Sequence, residues 1–154
     1  MLRMQTLSRR RVLALGGMAT VVGGTSSPAD AAPPTPTEQA NAKIATDFCA
    51  AWVARDIDLL MPYLADTVSY RITETTPAIV GRTAFHDRID AIIKRMTSIE
   101  FKVVDTLAKG PLVLNERHDT LASPQGTRRF HVIGMFFLAD GKIVEWTDYI
   151  IKEG

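Results

Sequence analysis

Apolar side chains in the first half of the chain recur at the spacing of amphipathic helices. Residues 38–54 predict one helix, with Ala42, Ala45, Phe48, Cys49, Trp52 and Val53 on its apolar side. A short helix is expected over residues 56–64, where Pro62 falls near the end. A third helix begins after Gly81 and Arg82, with Thr83 as its N-cap. Its apolar stripe is Phe85, Ile89, Ile92, Ile93 and Met96.

The second half of the chain has the pattern of β-strands. Strands are predicted over residues 67–73, 99–107, 111–121, 128–138 and 142–150. Turn residues separate the later strands, at residues 123–126 (Ser-Pro-Gln-Gly) and at Asp140 and Gly141. Helices followed by mainly antiparallel strands indicate an α+β fold of a single domain.

The last hairpin has two possible registers. A two-residue turn at Asp140 and Gly141 would place His131, Ile133 and Met135 on the face of Asp148. A three-residue turn with a bulge at Gly141 would place Phe130, Val132 and Phe136 there instead. We favour the bulged turn, because it directs His131 away from an otherwise apolar pocket.

Candidate chemistry lies in two of the predicted strands. Alternate side chains of a strand share a face, so Arg117 lies beside Asp119, and Trp146 beside Asp148. If these faces meet, two carboxylates flank one guanidinium, an arrangement that can separate their pKa values and divide acid and base roles. The same spacing also fits a structural salt bridge that lines a binding pocket.

The ordered motifs resemble the limonene-1,2-epoxide hydrolase family. The resemblance runs from about Ala42 to Tyr149. It rests on R-H-D (117–119), W-T-D-Y (146–149), Tyr70 after D-T-V-S, Gly81-Arg82, Met96, and A-D-G-K-I-V (139–144). It implies the cone-shaped α+β fold of the nuclear transport factor 2-like superfamily. In that fold N-terminal helices pack over a curved mixed or antiparallel sheet and enclose a pocket.

The resemblance also implies an activity: cofactor-independent hydrolysis of a small apolar epoxide to a vicinal diol. Asp148 would be the general base, Asp119 the general acid, Arg117 the bridge between them, and Tyr70 a ligand of the attacking water. Candidate substrate-binding residues are Trp146, Ile72, Ile92, Met96, Phe130, Val132, Phe136 and Ile150. A homodimer is expected from the resemblance alone. The alternatives are an isomerase or cyclase of the same fold, and a non-catalytic protein that binds an apolar small molecule.

One position departs from the family. The family has an asparagine two residues after the tyrosine, where it also binds the attacking water, but this chain has Ile72 there. Since the isoleucine side chain cannot hydrogen-bond, the attacking water would have one partner fewer here than in the family.

The N-terminus has the pattern of a twin-arginine export signal. S-R-R-R-V-L (8–13) is followed by a short, glycine-containing apolar stretch and by A-D-A (29–31). We expect a signal peptide over residues 1–31 and a flexible segment over 32–38. The catalytic domain would then occupy 39–154, in the periplasm or outside the cell. The apolar stretch is too short for a stable membrane anchor.

Charge and cysteine content exclude other classes. Four of the 18 basic and one of the 17 acidic residues lie in the first 31, which leaves a net charge of −2 and no basic face for nucleic acid. Cys49 is the single cysteine and is expected to be a small core residue. The three histidines have no metal-ligand spacing, so neither a metal nor another cofactor is expected.

Overall fold

The computed structural model describes residues 32–153, so the predicted signal peptide lies outside the described residues. The helices are α1 (Pro36–Ala51), α2 (Ile57–Leu60) and α3 (Arg82–Ile93), with 3-10 turns at Trp52–Ala54 and Met61–Tyr63. The strands are β1 (Leu64–Arg71), β2 (Ile79–Val80), β3 (Ser98–Lys109), β4 (Leu112–Ser123), β5 (Gly126–Ala139) and β6 (Lys142–Glu153). Within this range, no helix combines the length and apolar character needed to cross a bilayer.

A capping box starts α1 at Pro36, two residues earlier than the apolar pattern predicts. The Thr35 side chain accepts from the Glu38 N–H, and the Glu38 carboxylate accepts from the Thr35 N–H at 2.7 Å. Glu38 also accepts from the Gly110 N–H at 2.9 Å, so it ties the helix to the β3–β4 turn. The two backbone N–H groups lower the pKa of Glu38 to about 2.

The strands form one curved sheet in the order β2-β1-β6-β5-β4-β3. β1 runs parallel to β6 and the other neighbours are antiparallel, which confirms the predicted α+β class with a mixed sheet. Irregular pairing interrupts β3–β4 once and β5–β6 twice. Such bulges bend strands and increase their twist.

The predicted bulged turn between β5 and β6 is wrong. Ala139 pairs with Lys142 across a two-residue turn in which Asp140 and Gly141 both have positive φ, at 50° and 70°. A bulge inside β6 then shifts the register, because Leu138 pairs with Ile143 whereas Phe137 pairs with Glu145.

The faces of that hairpin are nevertheless the predicted ones. Val132 pairs with Ile150 and Phe136 with Trp146, on the face of Asp148. Phe130 pairs with Asp119 on the same face, and His131 lies opposite, bonded to Glu116. The bulge within β6 therefore shifts the register in the way that was expected of a bulged turn.

Three further corrections concern α3 and the loop before it. Gly81, with φ of 91°, is the N-cap and makes no side-chain cap bond, so Thr83 lies inside the helix. The helix ends at Ile93, before Met96. The short strand β2, which pairs with β1 through Ile79 and Val80, was not predicted because two residues show no periodicity.

Candidate active site

Arg117 connects two carboxylates that lie on different strands. It projects from β4 and is fully buried, whereas Asp148 is on β6 with β5 between them. Two strand spacings separate β4 from β6, or roughly 10 Å. Arg117 Nε donates to Asp119 Oδ1 at 2.8 Å and Oδ2 at 3.1 Å. Nη2 lies 2.7 Å from Asp148 Oδ1 as an ion pair, although its N–H bonds are not aligned for a hydrogen bond.

Gly134 leaves the space through which the arginine crosses β5. It pairs with Asn115 on one side and with Asp148 on the other. A Cβ at this position would lie 2.2 Å from Arg117 Nη1 and 2.7 Å from Asn115 Oδ1. Because neither distance is sterically possible, any larger residue would displace the guanidinium from its place between the carboxylates.

A buried asparagine holds the other side of Arg117. Arg117 Nη1 donates to Asn115 Oδ1 at 3.1 Å, and Asn115 Nδ2 donates to Cys49 Sγ at 3.3 Å. Cys49 belongs to the core, where burial raises the pKa of its thiol to about 11, so it remains protonated at neutral pH. The chain of contacts therefore links α1 to the arginine.

Trp146 holds Asp148 through a direct hydrogen bond. Its Nε1 donates to Asp148 Oδ1 at 2.7 Å. The indole is stacked between Tyr70, at a centroid distance of 4.0 Å, and Phe136, at 5.5 Å. The ring of Phe48 in α1 packs edge-to-face with the indole, at a centroid distance of 5.1 Å. Packing on all these sides keeps the N–H pointed at the carboxylate.

Burial sets the ionisation of the carboxylates. It raises the pKa of Asp119 to about 6, against the opposing effect of Arg117. Burial also raises the pKa of Asp148, opposed by Arg117 and by hydrogen bonds from Trp146 and Tyr70. Burial alone would lower the pKa of Arg117, but Asp148 and Asp119 hold it above the ordinary value, so the guanidinium stays charged.

A cavity of about 230 Å³ exposes both carboxylates on its wall. Seven of the predicted site residues line it: Tyr70, Ile72, Asp119, Phe130, Val132, Asp148 and Ile150. The remaining lining residues are Thr73, Phe101, Leu121 and Arg128. A second cavity, of about 300 Å³, is lined by His118, His131 and Asp119 among others, but not by Asp148.

Five predicted site residues lie elsewhere. Arg117 lies behind the carboxylates, with no exposed surface. Trp146 and Phe136 are also fully buried, and they support Asp148 from behind the cavity wall. Ile92 and Met96 pack against the core from α3 and the turn after it. The apolar stripe of α3 marked a packing surface, which periodicity cannot distinguish from a pocket wall.

Two residues that hold Arg117 in place were not identified from the sequence. Asn115 precedes Arg117 by two residues, so strand alternation already placed it on the same face. Gly134 interrupts an apolar strand, where a glycine often marks a close approach of other groups. Within residues 32–153, no three metal-ligating side chains are grouped closely enough to hold an ion.

Comparison with known proteins shows the family of the chain. The model of the SnoaL-like domain matches residues 45–146, about two thirds of the chain. An LEH-like epoxide hydrolase of M. tuberculosis has a similar structure, with a TM-score of 0.69 and 27% sequence identity. The similarity covers 75% of this chain and 85% of that one.

Two other solved structures share the fold at lower identity. One is a protein described as a SnoaL-like polyketide cyclase from Jannaschia sp. CCS1, with a TM-score of 0.69 and 18% identity over 79% of this chain and 92% of that one. The other is SalBIII, an epoxide hydrolase/cyclase-like enzyme of pyran ring formation in salinomycin, with a TM-score of 0.66 and 14% identity over 73% and 92%. The fold includes epoxide hydrolases, polyketide cyclases and ketosteroid isomerases. Since the family match runs from α1 to β6 and includes Tyr70, Arg117 and Asp119, the chain belongs to the SnoaL-like domain family of the nuclear transport factor 2-like superfamily.

Proposed function

We propose that the protein hydrolyses a small, mostly apolar epoxide to a vicinal diol, without a cofactor. The observation that carries the proposal is the pair of carboxylates, Asp119 and Asp148, that share one cavity and one buried arginine. Opening an epoxide needs a base for the water and an acid for the leaving oxygen. The similarity to the epoxide hydrolase of M. tuberculosis supports the same reaction.

The hydrogen-bond donors around each carboxylate support a division of the two roles between them. Asp148 is stabilised as an anion by Arg117, Trp146 and Tyr70, so it is the general base. Asp119 accepts hydrogen bonds from Arg117, and burial raises its pKa to about 6, so we assign it the proton of the general acid, the role that the family resemblance implies. Two close carboxylates that share one cation resist double ionisation, which favours one proton on the pair.

In the proposed step, Asp148 takes a proton from water as the water oxygen bonds to an epoxide carbon. The carbon–oxygen bond of the ring breaks, and Asp119 donates its proton to the released oxygen. The diol leaves with Asp148 protonated and Asp119 ionised. Before the next turnover, a proton must leave Asp148 and one must return to Asp119.

Substitution of each aspartate tests the proposal. Asp148→Asn and Asp119→Asn should each lower the turnover of a panel of small epoxides by on the order of a hundredfold or more. Glu145→Gln, on the exposed side of β6, is the matched control and should retain activity. Wild-type turnover in both asparagine variants would mean that the chemistry occurs at another site.

Ile72 favours cyclisation as a second candidate. Its side chain lines the cavity near Tyr70, where an asparagine would help to hold water. With fewer partners for water, a hydroxyl of the substrate itself could attack the epoxide, as the similarity to SalBIII suggests.

If hydrolysis is the native reaction, Ile72→Asn should raise diol formation. If cyclisation is native, the variant should divert a hydroxy-epoxide from cyclic ether to diol. If the protein only binds apolar molecules, the variant should weaken binding and form neither product.

A further inference from the structure

We propose that the substrate carries an anionic end, such as a carboxylate, which Arg128 binds at the mouth of the cavity. This inference rests on the proposed hydrolysis and adds the chemical class of the substrate. Among the described residues that line the cavity, Arg128 carries the positive charge.

The β4–β5 register places Arg128 on the same face as the catalytic acid. Arg128 pairs with Leu121, next to the pair of Phe130 and Asp119. Its guanidinium lies over the Phe130 ring, 4.8 Å from the centroid. The cation–π contact holds the charge above a ring that also lines the cavity. Arginine has five N–H donors, so it can bind a carboxylate while it keeps other contacts.

The charges inside the cavity orient such a substrate. Arg117 and the one ionised aspartate of the active pair neutralise each other, so the inner end of the cavity offers no net positive charge to an anion. An anionic group should therefore be held at Arg128 and not at the inner end. Asp148 is 6% exposed, whereas Ile150 on the same strand is 39% exposed, so the cavity opens toward solvent along β6.

The middle of the cavity indicates what joins the two ends of the substrate. Leu121, Phe130, Val132 and Ile150 lie on its wall and offer no hydrogen bonds from their side chains. Arg128 is two residues from Phe130, the partner of Asp119, or roughly 7 Å along the strand. The epoxide and the anionic group should therefore be joined by a short aliphatic chain.

The test compares a short-chain ω-epoxy carboxylate with its methyl ester. The wild-type protein should hydrolyse the carboxylate with the higher kcat/KM, and added salt should reduce that preference. Arg128→Gln should lower kcat/KM for the carboxylate on the order of ten- to a hundredfold, with a much smaller effect on the ester. Arg128→Lys should recover part of the preference, since it restores the charge without the planar fork.

Arg129→Gln is the matched control, because Arg129 pairs with Thr120 on the other face of the sheet. Equal kcat/KM for acid and ester, or an Arg128→Gln variant that behaves like the control, would overturn the inference and leave the hydrolysis intact. If neither compound is hydrolysed, the proposed reaction is wrong. Binding of the matched saturated carboxylate then decides the role of Arg128. Binding that is weakened by Arg128→Gln supports the anionic site, and equal binding to both proteins overturns it.

Discussion

Because Arg117 is fully buried, the candidate active site depends on the groups that bind its guanidinium. A charged group without exposed surface is costly unless opposite charges and hydrogen-bond acceptors surround it. Asp119, Asp148 and Asn115 supply them. Removing one carboxylate therefore affects the position and stability of the arginine as well as the chemistry.

The ionisation of the carboxylates predicts a dependence of kcat/KM on pH. Asp119 acts when protonated, so activity should fall as pH rises through its pKa of about 6. Asp148 acts when ionised, and its pKa is also raised, so activity should fall on the acid side. Both limbs belong to the coupled pair and should appear in a pH profile of epoxide hydrolysis. A constant kcat/KM from pH 5 to 9 would contradict the two roles.

Gly134→Ala should abolish the proposed hydrolysis, although Gly134 does not line the cavity. The added methyl group overlaps Arg117 Nη1, so the arginine must leave Asp148. We expect a loss of kcat/KM on the order of a hundredfold and a loss of about 1–3 kcal/mol in unfolding free energy. In an Arg117→Ala background the same change should cost much less. Full additivity of the two effects would show that Gly134 acts by another route.

At the scale of elements, the sequence pattern predicted the active face of the sheet better than the boundaries around it. Alternation along β4 and β6 placed Arg117 with Asp119 and Trp146 with Asp148, because the period of a strand is two wherever it starts. The position of the bulge within β6 could not be predicted, because a bulged turn would produce the same shift of register. Ile92 and Met96 were predicted as pocket walls but pack against the core, because core and cavity positions share one apolar pattern.

The start of α1 gives a prediction for stability. Thr35→Ala removes the side-chain acceptor of the capping box and should lower the unfolding free energy by about 1 kcal/mol. Urea unfolding measures the change. Thr37→Ala is the control, because Thr37 is exposed in the first turn and alanine has the higher helix propensity, so this variant should be at least as stable as the wild type. Equal stability of the wild type and the Thr35 variant would show that α1 is held by its packing alone.

At the scale of the whole molecule, we propose that the protein is exported through the twin-arginine route and acts as a homodimer. The motif at residues 8–13 and A-D-A at 29–31 predict a mature N-terminus at Ala32. Replacing Arg9 and Arg10 by lysine should block translocation. Mass spectrometry of the exported protein checks the cleavage site, and a full-length chain in the cytoplasm that is unaffected by the double substitution would contradict this proposal.

The most direct test of the account is a single turnover of an epoxide by excess enzyme in ¹⁸O-labelled water. If Asp148 activates water for direct attack, the diol from this first turnover carries one labelled oxygen. The Asp148→Asn variant should form no diol in the same time. An unlabelled diol from the first turnover would show that an aspartate attacked the epoxide itself. The absence of any diol across a panel of epoxides would contradict hydrolysis.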